Sequence, residues 1–316
     1  MTRLVLDGLC FAEGPRWHEG RLWVSDVFGQ RVLAVTEDGA AEEIVRFPGT
    51  ELPVGLGFLP DGRLLISNLD YPNVLRLDAP GQVVVHADLS RFARGVVNDM
   101  VVDPRGRAYV GAVGLRDRTA SAVPGTGAVI LVEPDGSARM VADDMVAPNG
   151  PCLTPDGCYV VAELPARRLT KFDRGPDGSL HNRRVFAELS PFTADGISAD
   201  AEGAVWTSST GDGVFRRIED GGAVTDVIKI PGRRAVACCL GGADGRTLFL
   251  LSNGTSEIAQ QWARRKFHDD GSRPAPGPPV RDLARLMAGN SRIDKVRVRV
   301  PGCHADTSTT GSGGEV

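Results

Sequence analysis

Hydrophobic and polar residues alternate in short runs along almost the whole chain, and the runs come in pairs joined by glycine-containing turns. Period-two alternation of this kind predicts half-buried strands. The paired phrase recurs as EGPRWHEGRLWVSD from Glu13, VGLGFLPDGRLLISN from Val54, NDMVVDPRGRAYVGA from Asn98, NGPCLTPDGCYVVAE from Asn149, DGISADAEGAVWTSS from Asp195 and ACCLGGADGRTLFLLS from Ala237. Each copy has a turn glycine, Gly20, Gly62, Gly106, Gly157, Gly203 and Gly245 in order, able to take the positive φ of a tight hairpin. A further alternating run follows each of the first five pairs: RVLAV, NVLRLD, GAVILVEPDG, RLTKFD and GVFRRI. Every unit therefore holds three or four strands.

Hairpin units repeating at roughly 40 to 50 residues are the mark of propeller blades. Six copies predict an all-β, six-bladed β-propeller with four-stranded blades. A sandwich would not need the same phrase six times. The terminal runs TRLVLDGL and KVRVRV (residues 295–300) are spare strands able to close the ring from both chain ends. We expect one propeller over residues 1–304. Residues 265–290, rich in Pro and Gly, interrupt the last blade as an insertion with a short helix at 280–288. The low-complexity tail, 305–316, is expected to be disordered.

Composition narrows the function classes. The net charge of -4 comes without clustering of Lys and Arg, which argues against nucleic acid and membrane surfaces as partners. No signal-peptide core or bilayer-length apolar run is visible, so the expected location is cytoplasmic. Six cysteines without a CxxC pair read as reduced, mostly buried thiols. The expected partner is a small-molecule substrate, and the expected state a monomer or weak homo-oligomer.

Counting back about eight residues from each turn glycine, seven in the first blade, reaches Glu13, Val54, Asn98, Asn149, Asp195 and Ala237. First strands of propeller blades run beside the central channel, so these six positions ring one of its mouths. Four of them carry oxygen donors. Two carboxylates and two amides converging in a confined space call for a positive charge between them. All-oxygen ligation favours a hard divalent cation, calcium or magnesium, with manganese and zinc also compatible. Taken singly, Asn149 and Asp195 could cap a strand, Asn98 could form an Asx-turn, and Glu13 could lie on the surface. Their common phase across the blades favours the metal. Asp99, one step past the ring, reads as a solvated or hydrogen-bonded carboxylate on the other strand face.

With these motifs in this order, from FAEGPRWHEGRLWVSD through VVNDMVVDPRGRAYVGA, APNGPCLTPDG and ADGISADAEGAVW to RIDKVRVRVPG, the sequence resembles the SMP-30/gluconolactonase/LRE-like family over nearly its whole length. The resemblance implies that Glu13, Asn149 and Asp195 bind one divalent metal, calcium first among the candidates. It implies that Asn98 contacts substrate and that Asp195 is also the catalytic general base. The implied reaction is hydrolysis of a lactone or related ester by metal-activated water in the central channel. Alternatives are a non-hydrolytic biosynthetic enzyme on the same metal site and a catalytically silent propeller that binds a small ligand.

The sugar-binding pattern is incomplete. Val96 stands where sugar-lactone members often carry Arg, with Arg94 two residues further back. No loop carboxylate for sugar hydroxyls is evident in GLRDRTASAVPGTG, where Arg116 and Asp117 are loose candidates. Apolar Val54 and Ala237 complete the ring, a combination suited to a less hydroxylated substrate. Trp17, Trp23 and Trp206 are expected in inter-blade packing, and Cys238-Cys239 as buried thiols. His18, His86, His181, His268 and His304 are too dispersed in the repeat for a dyad, and no G-x-S-x-G elbow is present.

Overall fold

The recurrent Asp-containing turns close by a shared device. In the computed structural model, Asp103 Oδ1 accepts from the amides of Arg105 and Arg107 (2.9 and 3.0 Å), and Asp200 Oδ1 accepts from those of Glu202 and Ala204 (2.9 and 3.1 Å). The carboxylate takes up amides that a tight turn leaves unpaired, and glycine in the left-handed region completes it: φ is 82° at Gly106 and 84° at Gly203. The structure describes residues 1–69, 71–115, 123–254, 285 and 287–303. Most of the insertion at 265–290, Arg116, Asp117, His268, His304 and the tail at 305–316 lie outside the described residues.

Six four-stranded antiparallel sheets form the blades of an all-β propeller. The innermost strands are β2 (Ala12–His18), β6 (Pro53–Phe58), β10 (Val97–Val102), β14 (Pro148–Leu153), β18 (Ile197–Ala199) and β22 (Arg234–Gly241). They pack side by side in that order, and β22 returns to β2. The sixth blade closes the ring. In it β24 (Ser291–Arg297) lies between the second strand and β1 (Arg3–Leu9), with Arg3 opposite Lys295 and Leu9 opposite Ser291. Both chain ends thus contribute strands as expected, although β24 begins four residues before the alternating run at 295–300.

One apolar cluster fills each of the six blade junctions. Trp23 and Val32 meet Leu56 and Ile66 between the first two blades, and Tyr109 and Val129 meet Tyr159 and Phe172 between the third and fourth. The four other junctions repeat the scheme. Trp17 stacks on Phe249 across the ring closure (5.4 Å between centroids) and Trp23 meets Phe58 edge-on at 5.0 Å, so both serve inter-blade packing. All six cysteines are free thiols, and five are buried. His18 stacks on Phe58 at 3.7 Å.

Candidate metal centre

Inner strands do not run regularly into the channel mouth. Their pairing with the second strand slips between Glu13 and Arg16, between Val97 and Met100, and between Asn149 and Pro151. A β-bulge of this kind breaks the alternation of faces and re-aims side chains. Glycines permit it next to two of the site residues. Gly14 (φ 56°) and Gly150 (φ 28°) follow Glu13 and Asn149, and their amides donate to Glu13 Oε2 (3.3 Å) and Asn149 Oδ1 (2.8 Å).

Second-strand residues hold the incoming loops and the neighbouring blades. Asp26 Oδ1 accepts from the Cys10 and Phe11 amides, Asn68 Oδ1 from Leu52, and Glu163 Oε2 from Val146. Ser67 Oγ accepts from the Gly55 amide (2.8 Å) and donates to the backbone carbonyl of Asn98 (2.5 Å), tying the second blade to a site residue of the third. Ser208 Oγ does the same from blade five to Val236 of blade six (2.6 Å). The endings VSD, ISN and VAE carry this signal in the sequence, where they read simply as strand ends.

Glu13 and Asp195 are 8% and 7% exposed, and Asp99 is 3% exposed. Burial pushes the Glu13 carboxyl well above the ordinary carboxylate range, and the charges of Asp195 and Asp99 push it further. Asp195 is raised to about 8, by burial first and then by Asp99, while Asn149 beside it favours the ionised form. Asp99 is raised by burial, with Arg16 and the Gly150 amide opposing. These influences join side chains from blades one, three, four and five, so the structure brings Glu13, Asn149 and Asp195 to one locus. Asn98, half-buried, directly precedes Asp99 on the same strand.

Two expectations are corrected. Asp99 is buried and not solvated; it keeps a hydrogen bond from the Gly150 amide while its Oδ1 has no partner, and it acts electrostatically on both Glu13 and Asp195. The slip between Val97 and Met100 is the reason, because it spoils the strict alternation that would separate Asp99 from Asn98. Ala237 is 0% exposed and packed in the junction of the sixth and first blades, whereas Val54, 2% exposed, joins a cluster with Cys10, Val27, Phe28, Leu52 and Met287. A Cβ on Gly196 would lie 2.5 Å from the Ala237 Cβ, so small residues here serve close blade contact. Ala237 therefore does not report on the polarity of a substrate.

The donor set fits a hard cation. Asp195 Oδ1 is buried without a hydrogen-bond partner, and the carboxylates stand in mutual repulsion that a divalent charge would relieve. Among the described residues no three His, Cys, Asp or Glu side chains form a cluster suited to a metal. Two carboxylates and the Asn149 amide are therefore the set on offer, and Asp99 does not complete a three-carboxylate cage.

A six-bladed propeller with oxygen donors gathered where its inner strands begin is the class of protein that fold and site define. Residues 11–254 match the family model for the SMP-30/gluconolactonase/LRE-like region, and the chain belongs to that family. It is 30% identical over 199 residues to a 6-deoxy-6-sulfogluconolactonase of Pseudomonas putida, a match spanning 59% of this chain and 65% of that protein. It is 27% identical over 266 residues to a pentonolactonase of Haloferax volcanii, spanning 80% and 85%. In structure it resembles a calcium-binding regucalcin from Agrobacterium tumefaciens, with a TM-score of 0.73 at 21% identity over 96% of this chain and 95% of the other. That likeness is one of fold.

Proposed function

We propose that the protein is a divalent-metal-dependent lactonase. The observation that carries this reading is the convergence of Glu13, Asn149 and Asp195, with the buried Asp195 Oδ1 lacking any partner, in a chain whose family includes relatives named as lactonases. Glu13, Asn149 and Asp195 would hold the ion, with calcium the first candidate among hard cations. When bound, the ion supplies Lewis acidity, polarising the lactone carbonyl and acidifying water.

The chain's own residues do the rest. Asp195 takes the proton from the attacking water as general base. Asn98 orients the substrate through its amide, held in place by the Ser67 hydrogen bond to its carbonyl. Water oxygen bonds to the acyl carbon, the ring C–O bond breaks, and the proton passes to the departing alkoxide. The product is a hydroxycarboxylate.

The test is hydrolysis of a panel of aliphatic and sugar lactones by chelator-treated protein, with calcium, magnesium, manganese or zinc added back and proton release followed. Turnover restored by metal and abolished in Asp195→Ala at saturating metal supports the proposal. Metal binding without turnover of any lactone overturns it.

A further inference from the structure

Toward the turn-bearing ends of the inner strands, past Glu13, Asn149 and Asp195, the channel widens into a cavity of ≈ 200 Å³ lined by all six inner strands. None of Glu13, Asn98, Asn149 and Asp195 lines it. Gly302 and Cys303 border it, where Cys303 Sγ contacts the carbonyls of Leu153 (3.3 Å) and Ala199 (3.5 Å). The walls are largely apolar, with Phe58, Val102, Leu153, Ile197 and Leu240 among them.

Among the described residues Arg16 is the only charged one on that lining. Its guanidinium donates to the carbonyls of Pro15 (2.6 Å) and Met100, and its Nε is buried with no hydrogen-bond partner. Among the described residues no carboxylate lies within ion-pair distance of it; Glu13 and Asp99 feel its charge only from further away. Nε is closed off from the cavity, but each terminal nitrogen of the guanidinium carries two N–H groups and spends one on a carbonyl, so a cation on this lining keeps donors for an anion. Ser198 adds a second donor, since its Oγ accepts from the Leu240 amide (3.2 Å) and keeps its own hydrogen free. The thiols around the cavity contribute no competing negative charge: burial raises Cys152, Cys238, Cys239 and Cys303 alike.

We propose that this half of the channel is a second binding site, separate from the metal centre, for a small aliphatic monocarboxylate. Arg16 takes the carboxylate, Ser198 supplies a further donor, and the apolar walls take the hydrocarbon body. The volume is many times the ~10–15 Å³ needed by one water, which suits a compact branched acid.

Isothermal titration of chelator-treated protein with isovalerate, and separately with the uncharged isovaleramide, tests this directly. Wild type should bind the acid saturably and the amide at least about tenfold more weakly. Arg16→Met should weaken acid binding by about tenfold or more, and Asn149→Ala, in the other half of the channel, should leave it unchanged. Should Arg16→Met not fold, Val102→Trp fills the cavity and should block binding while the acid–amide comparison stands on wild type alone. Equal binding of acid and amide, no saturable binding by wild type, or loss of binding in Asn149→Ala overturns the proposal.

Discussion

A methyl group on Gly150 would lie 2.3 Å from the backbone carbonyl oxygen of Asp195. The fourth and fifth blades meet there with no room for a side chain, and Gly150 follows Asn149 directly, so the same contact sets how close Asn149 stands to Asp195. Gly150→Ala should therefore cost about 2–4 kcal/mol of stability, from the clash and the positive φ together. On the proposed function it should also weaken calcium affinity by about tenfold or more, because the two proposed ligands move apart. Denaturant unfolding and calcium titration measure the two effects; unchanged affinity in a folded variant would separate this contact from the metal centre.

Ser67 offers a gentler perturbation of the same region. Ser67→Ala leaves the Gly55 amide and the Asn98 carbonyl without their partner and should cost about 1–3 kcal/mol. Because Asn98 is assigned to substrate and not to metal, KM for the best lactone should rise while calcium affinity stays within about twofold. Steady-state kinetics beside a calcium titration distinguish the two.

Metal removal should make stability depend on pH in a defined direction. Glu13, Asp99 and Asp195 all have folded-state proton affinities above their ordinary values, so the native chain holds protons that the unfolded chain has released. The contribution is fully present below the ordinary carboxylate range and is lost as pH rises toward about 8, the raised value of Asp195. Each proton involved gives a slope of up to about 1.4 kcal/mol per pH unit. Thermal unfolding of chelated protein, followed from about pH 5 to about pH 8, should show Tm falling. Saturating calcium or Asp195→Asn should flatten the decline, and a Tm rising over this window would contradict the assignment.

Structural and functional charges should separate in a fourth variant. Arg217 Nε donates to Asp200 Oδ2 at 2.6 Å, and both side chains are almost wholly buried. Arg217→Met strands the Asp200 carboxylate and should cost about 3–5 kcal/mol. Asp200 lies at the turn, away from the proposed metal ligands, so calcium affinity of the folded variant should be unchanged. Chemical denaturation and calcium titration supply the check.

Much of this protein is legible along the chain. Six strand–turn–strand phrases fixed the blade number, because hairpins with a turn glycine and a period-two pattern have few other ways to bury their faces. The same phasing picked out Glu13, Asn98, Asn149 and Asp195, since a repeat lets one position be compared with its equivalents. What the chain could not reveal depends on departures from that regularity. Asp99 joins the electrostatics of the site because a bulge spoils strand alternation, and bulges are set by the fit between blades. Ala237 occupies a ring position yet turns into a junction, where close contacts such as Gly196 against Ala237 decide which side chains reach the channel. Arg16 reads as an ordinary strand residue, and only closure of the ring places it on the wall of a largely apolar cavity. Periodicity is a property of local backbone geometry and so is written in sequence; burial, charge coupling and cavities arise between blades distant in sequence, and tertiary structure alone decided them.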